Sequence, residues 1–183
     1  MNNSISRRRK FKFTYALLKK VQYIPSIIAS TYEDYSELCN FGKRNVNILK
    51  TIGIKTLFNT DATKLHNIWQ ADIFNTIIFQ FPNVGSREPI DGHNPNYILV
   101  RDFIGSALKV LKSNWSIIIT SVDSNYNNNM FKFEKIAKLY SIKEPIKYVF
   151  DPTDYSEYQH MKTHEEESAI EDYKDFATWE FKL

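Results

Sequence analysis

At 183 residues, 43% of them hydrophobic, the chain is long enough for one domain with its own core. A single cysteine, Cys39, excludes an internal disulfide framework, and with four scattered histidines it leaves no thiolate-based metal site, so a reducing compartment is the expectation. The net charge of +3 hides a strong polarity: Met1 to Tyr32 holds seven basic residues and no acid, whereas Asp151 to Leu183 sets ten acids against three lysines.

No apolar run approaches the roughly 20 residues of a membrane span, and none has the short apolar core of a secretory signal, so no membrane is expected as a partner. The basic start admits two readings. Its acid-poor Ser and Arg content is like that of an organellar, for instance mitochondrial, targeting peptide. Phe11, Phe13, Leu17, Leu18 and Val21 are instead numerous enough to belong to a packed element, which favours a retained arm over residues 1–13 ahead of one domain over 14–183. Arg7, Arg8, Arg9, Lys10 and Lys12 then read as contacts to RNA or another polyanion, or as a solvated face.

In chain order, Thr14 to Tyr23 reads as a basic amphipathic helix and Pro25 to Thr31 as a strand centred on Ile27 and Ile28. Asp34 can cap a helix running to about Leu49, which Gly53 ends before a strand at Lys55 to Asn59. Asp61 follows that strand and opens a short turn at Ala62 to His66. Phe74 to Phe79 is an uncharged, β-branched run, the reading of a strand buried on both faces.

The polar, proline-bound stretch Gln80-Phe81-Pro82-Asn83 comes next, where ligands bind beyond the carboxyl ends of parallel strands. A loop to Pro95 precedes the clearest helical period in the chain: Val100, Phe103, Ile104, Ala107, Leu108 and Leu111. Trp115 to Ser121 reads as a strand, Ser124 to Asn129 as a polar loop and Phe131 to Tyr140 as a helix. Lys147 to Phe150 and Thr178 to Lys182 read as the last two strands. Alternation of strand and helix predicts an α/β fold with a mostly parallel sheet, and the lack of a full helix between the final two strands predicts that they pair antiparallel. His160 and His164 are four apart, as metal ligands on a helix would be, but no third ligand is evident and no metal is expected. Glu165-Glu166-Glu167 reads as a solvated loop.

Five blocks, in order and spacing, resemble the eukaryotic large-subunit (25S) rRNA uridine-N3 methyltransferases. They are Ile27 to Glu33, Asp61 to Leu65, Ile77 to Gly85, Phe103 to Lys112 (similar to that family's FF-x-SA-x-x-LLK helix), and Phe150 to Tyr158 with Lys162-Thr163 (similar to its closing F-x-P-x-DY-x-x-Y … RT segment). The likeness spans about Phe11 to the carboxyl end. It implies a Rossmann-like fold binding S-adenosylmethionine, with a mostly parallel sheet and an antiparallel last strand, and methyl transfer to N3 of a uridine in rRNA. By resemblance, Glu33 accepts from the cofactor's ribose hydroxyls, Asp61 faces its adenine amino group, and Gln80, Phe81, Pro82 and Asn83 hold the target base. The bland alternatives are a solvated turn acid for Glu33 and a helix cap for Asp61.

Three departures accompany the likeness. Family members end a first strand in a Gly-Glu-Gly-Asn type loop before Phe-x-Phe, whereas Phe11-Lys12-Phe13 follows Arg7-Arg8-Arg9-Lys10, and Met1 to Ser6 does not resemble a buried strand; the first strand is expected to be missing or degenerate. The family's Asn-Phe-Pro-His is here Gln80-Phe81-Pro82-Asn83, which lacks an imidazole to take the uridine N3 proton. The family's Lys-x-Gly-x-Pro-Tyr turn is replaced by Val122-Asp123-Ser124-Asn125-Tyr126. The expectation is a catalytically degenerate, RNA-contacting component of a ribosome or other ribonucleoprotein, bound to rRNA or another structured RNA with ribonucleoprotein proteins as neighbours, and nucleolar or ribosome-associated. The alternative is an active S-adenosylmethionine-dependent enzyme, which an upstream glycine loop would restore.

Overall fold

The computed structural model describes residues 11–20, 26–86, 88–155 and 175–182. They fall in two compact units, residues 1–61 with 151–174, and residues 62–150 with 175–183. Expectations for Met1 to Lys10, the end of the first helix at Tyr23, Tyr158 to Thr163, His160, His164 and the Glu165 run lie outside the described residues.

In the first unit, helix α1 spans Lys12–Lys20, two residues earlier than the period indicates, with Ala16 and Leu18 buried and Lys19 and Lys20 in its last turn, where cations oppose the helix dipole. Strand β1, Ile28–Ser30, pairs in parallel with β2, Lys55–Leu57, through Ala29 opposite Thr56. Between them lies α2, Asn40–Thr51. Asp34 does not cap this helix. It caps a 3-10 turn, Tyr35–Glu37, in a reciprocal box with Glu37, and extended Leu38 separates that turn from α2, whose cap is Cys39 Sγ accepting from Gly42 N at 3.5 Å. The interruption has a packing cause: Leu38 is buried among Phe11, Leu18, Val46, Leu49 and Ile54. Gly42 permits it, because a β-carbon there would sit 3.3 Å from Leu38 Cβ. Gly53 ends α2 at φ +81, as its position in the sequence indicates.

The second unit is a four-stranded mixed sheet in the order β3, β4, β6, β5. Its strands are β3 (Phe74–Gln80), β4 (Leu111–Val122), β5 (Ile146–Val149) and β6 (Phe176–Lys182). β3 and β4 run parallel; β6 is antiparallel to both its neighbours, so the two last strands pair as expected. Helix α3, Pro95–Ala107, packs Val100, Phe103, Ile104 and Ala107 onto Ile117, Ile119 and Phe181. Its apolar period overruns its end: Leu111 belongs to β4, because Val110 O accepts from both Ile73 N and Phe74 N and holds the chain extended.

Two further expectations are corrected. β3 is not buried on both faces. Ile77 and Phe79 pack against the core while Ile78 remains 39% exposed, since among the described strands β3 has one neighbour and one covered face. The Asn-rich stretch read as a loop is helix α4, Asn125–Phe131, capped by Ser124 Oγ accepting from Asn127 N at 3.2 Å. Lys132, left-handed at φ 51, separates α4 from α5, Phe133–Leu139, where one helix was expected.

Candidate functional site

In the first unit the sheet hydrogen bonds continue past the strand ends: Thr31 N donates to Leu57 O at 3.0 Å, Thr60 N to Thr31 O at 2.9 Å and Asn59 N to Glu33 O at 3.2 Å. This ladder brings the Glu33 and Asp61 segments together at the carboxyl ends of β1 and β2, and both carboxylates are half-buried. Asp34, their half-buried neighbour, is engaged structurally. Its carboxylate accepts from Ser36 Oγ at 2.6 Å, Ser36 N at 2.8 Å and Asn59 Nδ2 at 2.9 Å, and these bonds hold its pKa down at about 2. It thereby ties the loop after β1 to the loop after β2.

The same unit carries the described part of the basic region. Lys12 lies half-buried in the first turn of α1, while Arg7, Arg8, Arg9 and Lys10 are outside the described residues. Lys20 Nζ stands 3.6 Å from Asp154 Oδ2 and 4.5 Å over the Tyr155 ring, and Phe13 is 5.2 Å from that ring. The Asp151-Pro152-Thr153-Asp154-Tyr155 block is thus an anchor for α1. Asp151 itself accepts from Thr153 Oγ1 and N, which lowers its pKa.

In the second unit, Gln80 ends β3 and its Nε2 donates to Thr120 Oγ1 at 2.9 Å, which lies 3.2 Å from Thr178 Oγ1; Gln80 Oε1 is buried with no hydrogen-bond partner among the described residues. Phe81 is left-handed at φ 50 immediately before Pro82, a conformation unfavourable for a bulky residue. Its N–H donates to Thr120 O at 2.9 Å, and its half-buried ring meets Phe150 and Phe176 edge-on at 6.1 and 5.8 Å. The hydrogen bond and the two ring contacts hold this unfavourable conformation in place. Pro82 is buried and Asn83 exposed. Asn83 Oδ1 accepts from Gly85 N at 2.8 Å, and Val84 N donates to Asn96 Oδ1 at 2.8 Å on α3, fastening the loop to the helix.

Beyond β4, Asp123 accepts from Lys147 Nζ at 2.7 Å and Asn128 Nδ2 at 3.1 Å, and the lysine holds its carboxyl below the usual range. A cation therefore stands beside this turn, supplied by β5. Sequence reasoning passed over a further cleft at the start of α3, lined by His93, Tyr97, Tyr126, Asn129, Met130 and Lys132. Asp91-Gly92, the dipeptide of a tight type I′ turn, is the signal that could have drawn notice to it. Among the described residues no group of three or more His, Cys, Asp or Glu could hold a metal ion.

Over residues 10–162 the chain matches the BMT5-like family model, described as rRNA (uridine-N3-)-methyltransferase BTM5-like. No curated protein sequence is significantly similar to it. Among solved structures it is similar to a candidate rRNA-methylase from Clostridium thermocellum, at 10% identity and a TM-score of 0.54, covering 97% of this chain and 86% of that one. It is also similar to a protein described as a possible exported protein of Bordetella parapertussis, at 9% identity and a TM-score of 0.51, covering 97% of this chain and 63% of that one. At such identities the likeness shows the fold: α/β, Rossmann-like, of the methyltransferase type, with a mixed sheet.

Proposed function

The chain belongs to the BMT5-like family of rRNA (uridine-N3-)-methyltransferases, and from that premise we propose that it is an RNA-contacting member in which methyl transfer has lapsed. The observation that carries this reading is Asn83. Uridine N3 holds its proton at neutral pH and becomes nucleophilic only when a base removes it, a task suited to an imidazole with a pKa of about 6.5. The family resemblance puts that imidazole where this chain has an amide, which does not titrate and whose oxygen accepts from Gly85 N. In sequence, Arg7 to Lys10 also stand where the family has its cofactor glycines.

On this reading the fold serves as a platform. Arg7, Arg8, Arg9, Lys10 and Lys12 neutralise phosphates of an rRNA or another structured RNA. The chain is then a structural component of a ribosome or other ribonucleoprotein, working in the nucleolus or on the ribosome beside other ribonucleoprotein proteins. None of its described helices is long and apolar enough to cross a membrane.

A second reading, an active rRNA uridine-N3 methyltransferase, draws support from Glu33 and Asp61. Two half-buried carboxylates at the ends of adjacent parallel strands are acceptor-only groups, as ribose hydroxyls and an adenine amino group require. Glu33 would then hold the ribose of S-adenosylmethionine and Asp61 its adenine; the cofactor supplies an electrophilic methyl group. Calorimetry with S-adenosylmethionine separates the two readings. The first expects no binding in the micromolar range; micromolar binding followed by methyl incorporation into rRNA that is lost in Asp61→Ala would establish the second.

A further inference from the structure

The open cleft beside the start of α3 has a volume of about 300 Å³, enough for one nucleobase and at the low end for small-ligand sites. Its wall brings together three flat rings (His93, Tyr97, Tyr126), the amide of Asn129, the thioether of Met130 and the cation of Lys132. No carboxylate lines it among the described residues. Tyr97 is fixed: it is 5% exposed, its ring lies 5.4 Å from that of His93, and Lys135 Nζ stands 5.5 Å from its centroid. Tyr126 on α4 is 52% exposed. One ring is thus built in and another is about half exposed.

The backbone of the wall is preset. Ile90 and His93 exchange two hydrogen bonds of 2.9 Å around Asp91 and Gly92, both left-handed at φ 48 and +74, and this tight turn delivers His93 to the cleft. Lys132, also in the wall, keeps a left-handed conformation, φ 51 and ψ 49, that a non-glycine residue adopts unfavourably. The first turn is one that Asp-Gly favours, so the unfavourable backbone in this wall is that of Lys132, where α4 ends.

We propose that this cleft receives one unpaired nucleotide of a single-stranded RNA. The base stacks on Tyr126, the Asn129 amide pairs with its edge as both donor and acceptor, and Lys132 meets the adjoining phosphate. A duplex cannot serve, because its bases are stacked inside it. This inference rests on the RNA-contacting reading above and adds a place and a nucleic-acid form to it.

The test is fluorescence anisotropy of the full chain with a single-stranded RNA of about a dozen nucleotides. The RNA carries one 2-aminopurine, and the same strand is measured in a duplex. The single strand should bind more tightly than the duplex, with quenching of the 2-aminopurine. Tyr126→Ala should weaken binding roughly tenfold and abolish the quenching, and Tyr126→Phe should restore both. Lys132→Gly, which suits the left-handed backbone and so preserves the fold, should reduce the slope of log affinity against log salt by about 0.7, the value of one neutralised phosphate. RNA bound as tightly by Tyr126→Ala, Asn129→Ala and Lys132→Gly as by the natural chain would overturn the cleft and leave the RNA-contacting reading standing. Equal affinity for duplex would overturn the cleft as well. Failure of the natural chain to bind RNA at all would overturn both.

Discussion

Gly105 on α3 permits a close crossing that one methyl group would obstruct. A β-carbon built there would overlap the Tyr140 hydroxyl and lie 2.8 Å from its Cζ and 3.1 Å from its Cε1, and the same hydroxyl donates to Arg101 O at 3.0 Å. In Gly105→Ala the tyrosine must move. Overpacking costs about 1–3 kcal/mol and loss of the hydrogen bond about 1 kcal/mol. Alanine's helix propensity returns about 1 kcal/mol, so the net destabilisation should be about 1–3 kcal/mol. The sign should invert once the obstacle is gone: in a Tyr140→Ala background Gly105→Ala should stabilise, by about 1 kcal/mol. Urea denaturation of the four proteins closes the cycle. An equal cost of Gly105→Ala in both backgrounds would refute the steric account.

Three other expectations follow from particular residues. Asp34 is held at about pKa 2 against an ordinary 3.8 by Ser36 and Asn59, so its contribution to stability is complete above pH 4 and is lost as pH falls through 2. Asp34→Asn should flatten that part of the pH–denaturation profile; an unchanged profile would sink the assignment. Thr120→Val should cost about 1–3 kcal/mol in a denaturant titration, because Gln80 Nε2 would lose its acceptor while its Oε1 already has none among the described residues. Neutralising Arg7, Arg8, Arg9, Lys10 and Lys12 together should weaken RNA binding and flatten its salt dependence by about 0.7 for each phosphate that the arm engages. A slope unaltered by these changes would move the electrostatic attachment elsewhere on the chain.

Burial writes itself into sequence as period, and where burial ruled, the sequence was legible. The α3 face at Val100, Phe103, Ile104 and Ala107 is an instance; the antiparallel pairing of β5, whose residues are exposed, with β6 was legible instead from the lack of a full helix between them. Period fails where backbone bonding decides instead. Leu111 keeps the helical spacing, yet Val110 O, bonded to Ile73 N and Phe74 N, commits that stretch to β4. The asparagines of α4 favour turns on their own, and only the Ser124 cap and the left-handed Lys132 mark out the helix. Leu38 broke the helix expected from Asp34 because a buried leucine is worth more in the core than in helical register. Of the candidate site, the strand-end positions of Glu33, Asp61 and Gln80 could be read in advance. The left-handed backbone of Phe81 and its two ring partners could not, since Phe150 and Phe176 are distant in sequence.

The central claim, that the fold persists without methyl transfer, meets its most direct test in incorporation of radiolabelled methyl from S-adenosylmethionine into rRNA by the full chain. No incorporation above background is the expected result, together with retained binding of the same RNA. Methyl transfer to uridine N3 that is lost in Asp61→Ala would contradict the account and establish the chain as an enzyme.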